Sequence, residues 1–132
     1  MTNLTNIGQD SFSIGPIEIP NRVLIVGEIG IIFLKQIYFQ ILSDQFCMGI
    51  ISSIIDNPKT AVEIAKTTTI PISTVYRRLQ FLQEHKMLKT SGGLNKDGKY
   101  FVYQSKLKTI STFFDGSDTW VSVTPNLNFT IN

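Results

Sequence analysis

The 132-residue sequence predicts an α+β fold, mainly helical. Three observations lead there. Between Ser43 and Lys86, apolar residues recur at helical spacing in successive short stretches. Residues 86–106 then change to extended runs around Asp97-Gly98. Near the start, Phe12, Ile14, Ile17 and Ile19 alternate around Gly15-Pro16, a β-like pattern. With 42% hydrophobic and 17% charged residues the chain has globular composition, and its length makes one domain the default.

Taken in order, residues 1–10 are polar and without period, which predicts a flexible N-terminus. Residues 11–42 join the β-like segment, a hairpin or two short strands with a turn at Pro20-Asn21, to an apolar run. From Ile31 that run fits a helix through Leu34, Tyr38 and Ile41 to about Leu42, although its β-branched first half also suits a strand. The stretch 43–58 opens on Ser43 or Asp44 as N-cap and places Phe46, Ile50, Ile51 and Ile54 on one face. Pro58 ends it. Residues 59–68 form a short helix with Thr60 and Glu63 spaced as a capping box.

A tight connection leads to a helix over about 71–86. Ser73 is one possible cap, and Pro71 also suits a first turn. Val75, Leu79 and Leu82 mark the buried side, so Ser73, Arg77, Gln80 and Glu84 fall opposite, with Thr74 and Phe81 nearby. A hairpin follows over 87–105. Asp97-Gly98 as its two-residue turn would pair Lys96 with Lys99 and Leu94 with Phe101. Residues 106–132 read as a short helix carrying Leu107, Ile110, Phe113 and Phe114, then a strand-like tail at 119–123.

Charge is unevenly spread. Residues 57–108 hold ten Lys/Arg against three acids, a net of +7, between flanks of −3 and −2. A basic middle suits a polyanion. The single cysteine, Cys47, excludes an intrachain disulfide and a cysteine zinc cluster, and reads as a small core residue. The single histidine, His85, reads as a helix-end residue. With scattered carboxylates and no phosphate-cradling loop, neither an enzyme nor a cofactor or metal is expected. No secretory signal is visible at the N-terminus, and Glu28, Lys35, Gln36 and Gln40 interrupt the apolar run 23–42. A cytoplasmic protein without a membrane span is the expectation.

Helix, short helix, tight turn, helix and hairpin are the parts of a winged helix-turn-helix, residues 43–105 here. The stretch "ILSDQFCMGIISSIIDNPKTAVEIAKTTTIPISTVYRRLQFLQEHKMLKT" resembles the bacterial and archaeal ArsR-type winged-helix regulators, and more loosely their MarR- and TrmB-like relatives. "LSD" opens the first core helix, Ala65 of "EIAKTT" stands at the close helix–helix contact, "STVYRRL" opens the recognition helix, and "LQEHKML" leads into the wing. Thr69 stands where the family usually has the turn glycine, and His85-Lys86 replace the glycine that commonly ends the recognition helix. The family's cysteine-rich metal-sensing motif is absent, so metal sensing does not carry over.

The resemblance implies double-stranded DNA as partner and a homodimeric transcriptional regulator; it specifies no small-molecule effector. The apolar flanks Ile29–Leu42 and Leu107–Phe114, more apolar surface than a winged helix of this size can easily bury, are the expected dimer surface. Arg77 is the candidate for reading a base. Ser73 and Thr74 suit phosphate or base edges, with Tyr76, Gln80 and Thr60 as further contacts. Arg78, nearer the core, suits a phosphate or an intradomain ion pair. Lys96 and Lys99 suit backbone or minor groove, or are ordinary solubilising residues of a turn. The competing reading is a winged-helix protein-interaction module in a transcription or replication assembly, its basic face meeting an acidic partner.

Overall fold

A computed structural model describes residues 4–7, 11–14, 25–128 and 131. In chain order its elements are β1 (Leu4–Ile7), β2 (Ser11–Ile14), α1 (Ile25–Leu42), α2 (Gln45–Ser53), α3 (Ala61–Thr68), α4 (Ile72–Glu84), β3 (Leu88–Asn95), β4 (Gly98–Ser105), β5 (Leu107–Phe114) and β6 (Thr119–Pro125). The α+β class holds, but six strands stand beside four helices among the described residues, so the chain is less helical than its periodicity suggests. Two compact units result, residues 1–43 with 109–125 and residues 44–108 with 126–132.

The first unit contains a four-stranded sheet in the order β1-β2-β6-β5. Three sequence expectations are corrected there. Residues 4–7 are not frayed: Leu4 pairs with Ile14 and Ile7 with Ser11. α1 begins at Ile25 rather than Ile31, since Gly27 and Gly30 are tolerated inside it. Residues 107–114 are a strand, not a short helix. Thr109, Ile110 and Thr112 favour the extended state, and a ladder with β6 decides it. The expected strand through Ile17 and Ile19 lies outside the described residues. The junction between β2 and β6 is fixed by Phe12 opposite Val123 and Ile14 opposite Val121.

The second unit is built on a core of Ile50, Ile54, Ile64, Val75, Leu79 and Leu82, all at most 2% exposed. Phe46, expected among them, is 41% exposed; the buried side of α2 passes instead through Cys47, Ile50 and Ile51. Asp44 caps α2, its Oδ1 accepting from the Phe46 amide at 3.0 Å. Thr60 and Glu63 form both bonds of the capping box on α3. After α2 the chain runs beside the hairpin. Lys59 and Tyr103 exchange both backbone bonds, and the Ser105 amide donates to the Ile54 carbonyl.

Two backbone positions carry strain. Thr69, between α3 and α4, has φ 57°, and Lys86, after α4, has φ 60°. Thr69 is β-branched, for which a positive φ is uncommon and costly. Lys86 closes a Schellman-type end: the Met87 amide donates to the Leu82 carbonyl and the Lys86 amide to Gln83. Thr69 stands where the resembled family usually has its turn glycine, and Lys86 belongs to the His85-Lys86 pair that stands where a glycine commonly ends the corresponding helix. Thr69→Gly and Lys86→Gly are each expected to raise unfolding stability by about 0.5–1 kcal/mol, checked by urea denaturation at one pH.

The helix α4 starts at Ile72 with Pro71 as its cap residue and no side-chain cap bond, so Ser73 is not the cap. It ends at Glu84, two residues short of the expected limit. The β3–β4 turn also differs from expectation. Asn95 faces Gly98 and Leu94 faces Lys99, leaving Lys96-Asp97 at the turn. Neither turn residue has a positive φ; Gly98 takes it instead, at 114°, and the Asp97 amide donates to Asn95 Oδ1. Relative to expectation β4 slides by two residues, which keeps every side chain on its face and separates Lys96 from Lys99.

Candidate nucleic-acid interface

The fold displays α4 through its amphipathic spacing. Its buried arc runs from Leu79 past Val75 and Leu82 to Thr74, which is only 8% exposed. This corrects the expectation that Thr74 points away from the core: it adjoins Val75 on an arc wider than the Val75–Leu79–Leu82 stripe. Arg78 lies within the same arc and is half-buried. Ser73, Tyr76, Arg77, Gln80, Gln83 and Glu84 are exposed on the remaining arc.

The arginine pair is divided by this geometry. Arg78 Nε donates to Asp44 Oδ2 at 2.5 Å, with side-chain exposures of 29% and 24%, and its guanidinium lies 5.5 Å from the Phe46 ring centroid. Arg78 therefore ties α4 to the cap of α2. Arg77 makes no ion pair among the described residues; its Nη2 reaches only Thr74 Oγ1, at 3.4 Å. Thr60 is half-buried with its hydroxyl accepting from the Glu63 amide, so it is occupied in its cap.

Burial pushes the Asp44 carboxyl up, but bonds from Arg78, the Phe46 amide and the Cys47 thiol, together with the Arg78 charge, hold it below the usual carboxylate range. A depressed folded-state value means stability that is present above the unfolded pKa of about 3.9 and lost as pH falls through the folded value. Asp44→Asn keeps a capping side chain but not the ion pair. It is expected to lose less stability than the parent between pH 6 and pH 3, measured by urea unfolding at both. The Cys47 thiol is pushed up to about 12, by burial first and then by Asp44, and so is a poor nucleophile.

Beside α4 stands the β3–β4 hairpin. Gln83 Nε2 donates to Thr90 Oγ1 at 3.2 Å. Tyr76, Leu79, Gln80, Gln83 and Glu84 of α4 and Tyr103 of β4 line a groove of about 450 Å³. Burial, and then the neighbouring Tyr76, raise the Tyr103 hydroxyl pKa. At the tip Lys96 and Lys99 are exposed. The hairpin also exposes Leu94 at 80%, Phe101 at 43% and Tyr100 at 39%. Leu94 and Phe101 were not anticipated as part of a site, though the alternation of the hairpin could have shown them; Tyr100 and Tyr103 read from the sequence as strand packing, with base stacking as the alternative.

The strand β3 accommodates those rings through its glycines. A Cβ on Gly93 would lie 2.6–2.9 Å from the Tyr100 ring and hydroxyl, and one on Gly92 would crowd Phe101 at 3.2 Å. The unit holding α4 and the hairpin carries ten Lys/Arg against five Asp/Glu, a net of +5. Among the described residues, no group of three or more His, Cys, Asp or Glu is placed to hold a metal, and no helix is long and apolar enough to cross a membrane.

Of the nine anticipated contacts, Ser73, Tyr76, Arg77 and Gln80 share the exposed side of α4, and Lys96 and Lys99 share the hairpin tip. Thr60, Thr74 and Arg78 are engaged within the unit. No family model, curated protein or solved structure matches the chain.

Proposed function

We propose that this protein is a winged helix-turn-helix regulator of the ArsR-like kind that binds double-stranded DNA as a homodimer. In this reading α4 enters the major groove, Arg77 reads a guanine edge, Ser73 and Gln80 contact neighbouring phosphate or base edges, and the β3–β4 hairpin is the wing, with Lys96 and Lys99 on phosphates. The observation that carries the reading is the display of α4. Its exposed side holds Arg77, which has no ion pair among the described residues, next to a cationic hairpin in a unit of net +5. Phe113 and Phe114, 60% and 66% exposed on the edge strand β5, supply the proposed dimer surface.

Binding to mixed-sequence duplex DNA over a series of salt concentrations tests the electrostatic part. Log affinity should fall linearly with log salt, with a slope of roughly −0.9 per neutralised phosphate and so of about −4 or steeper for a dimer. Affinity independent of salt contradicts the reading. The second reading, a protein-interaction module, draws on Leu94, whose exposure is unusual for a residue meant only to flank phosphate. Duplex binding that is weak and unaffected by the Arg77 and Lys99 variants favours it.

A further inference from the structure

The pairing of β3 with β4 sets which hairpin side chains share a face. Thr90, Gly92 and Leu94 lie opposite Tyr103, Phe101 and Lys99 respectively, so these six residues occupy one side. That side turns toward α4 at its base, where Thr90 accepts from Gln83 and Tyr103 lines the groove with Tyr76. Tyr103, Phe101 and Leu94 therefore form a stripe running outward from the groove. The Phe101 ring lies against Gly92, where a Cβ would meet its ring atoms at 3.2 Å, and the rest of the side chain is open, 43% exposed. Lys99 Nζ sits 5.1 Å from the Phe101 centroid.

Duplex DNA has little use for this stripe, because a duplex presents stacked bases inside and phosphates outside. Unpaired nucleotides present flat π-faces. Phe101 and Tyr103, two residues apart on one strand, are about 6.7 Å apart, roughly twice the rise per base of B-DNA, which suits bases splayed apart rather than stacked on one another. Aromatic platforms with adjoining cations are how single strands are held without strong sequence preference. Lys96 and Lys99 supply the cations at the outer end, and Gln83, whose Nε2 is engaged with Thr90, offers its amide oxygen to base edges at the inner end. Glu84, also lining the groove, keeps phosphates toward the lysine end.

We infer that the side of the β3–β4 hairpin facing α4 is a stacking site for unpaired nucleotides, with Phe101 and Tyr103 as its platforms. The site lies beside the duplex-reading side of α4 and does not depend on it. It gives the protein a grip on a locally melted strand or a single-stranded end.

The test uses the full chain, a fluorescein-labelled oligo-dT of twelve nucleotides and a mixed-sequence duplex, with anisotropy read at one salt concentration. Phe101→Leu is expected to weaken oligo-dT binding about 10-fold or more and duplex binding less than about 2-fold. Phe101→Trp should restore oligo-dT affinity, and its added indole emission should be quenched on binding. Arg77→Ala should weaken the duplex alone, so that loss of duplex binding and loss of stacking are separately visible. No measurable oligo-dT binding, an unchanged affinity in Phe101→Leu, or equal losses on oligo-dT and duplex would overturn the inference. Unchanged far-ultraviolet circular dichroism checks that the half-exposed substitution leaves the fold intact.

Discussion

Asn126→Ala is expected to destabilise the unit containing α4 by about 2–4 kcal/mol in urea unfolding, the largest stability effect foreseen for a polar residue here. Asn126 is 1% exposed. Its Nδ2 donates to the Ile55 carbonyl at 2.7 Å and the Ser105 carbonyl at 2.9 Å, and its Oδ1 accepts from the Asn128 amide at 3.0 Å. Alanine removes all three bonds and leaves a cavity. Gln104, fully buried, still donates to Ile55 and to the Asn128 carbonyl, which bounds the loss. Together they fasten residues 126–128 to the end of α2 and the base of the hairpin. Leu127→Ala, at a site 67% exposed, serves as control and should change stability by less than about 0.5 kcal/mol.

Arg77→Ala combined with Lys99→Ala is expected to lower duplex affinity at least about 100-fold at fixed salt, since both subunits of the proposed dimer lose both contacts, while leaving unfolding stability nearly unchanged. A bidentate base contact carries roughly 1–3 kcal/mol and the phosphate contact adds roughly another, and about 1.4 kcal/mol is tenfold. The salt slope should become shallower by about 1 for each phosphate that a subunit no longer neutralises. Arg78→Ala separates the two arginines. Its loss leaves Asp44 half-buried without its cation, so its effect falls mainly on stability. Electrophoretic or anisotropy titrations of the variants beside urea curves measure both quantities.

What could be read from the sequence follows the range of the interactions involved. The capping box at Thr60 and Glu63, the buried Val75–Leu79–Leu82 stripe and the ion-pair alternative for Arg78 are local or periodic features, and all three are present. The partner of Arg78 was not readable, because Asp44 lies 34 residues away. The same range effect turned residues 107–114 from an expected helix into β5. Their apolar spacing suits either state, and the neighbouring β6 selects the strand. β1 escaped notice because "LTNI" carries no period of its own and is held by β2. Thr69 and Lys86 are the opposite case. The family resemblance marked Thr69 and the pair His85-Lys86 as departures from glycine, and the backbone has positive φ at Thr69 and Lys86.

For the candidate interface, exposure on α4 followed the helical wheel except at Thr74, where the buried arc is wider than three apolar residues imply. The hairpin was harder to read. A glycine after Asp97 suggested a turn centred on both, whereas Gly98 takes the positive φ beyond a Lys96-Asp97 turn. The tail contribution of Asn126 and Asn128 had no sequence signal, since a polar terminus reads as solvated until its buried partners are known.

The most direct measurement of the DNA-binding account is selection of bound duplexes from a fully random pool by the intact protein, followed by sequencing. The account predicts enrichment of two inverted half-sites with centres about one helical turn apart, and loss of preference at one position per half-site when Arg77 is replaced by alanine. A pool that stays random after repeated rounds, at salt low enough for the protein to retain duplex, would contradict it.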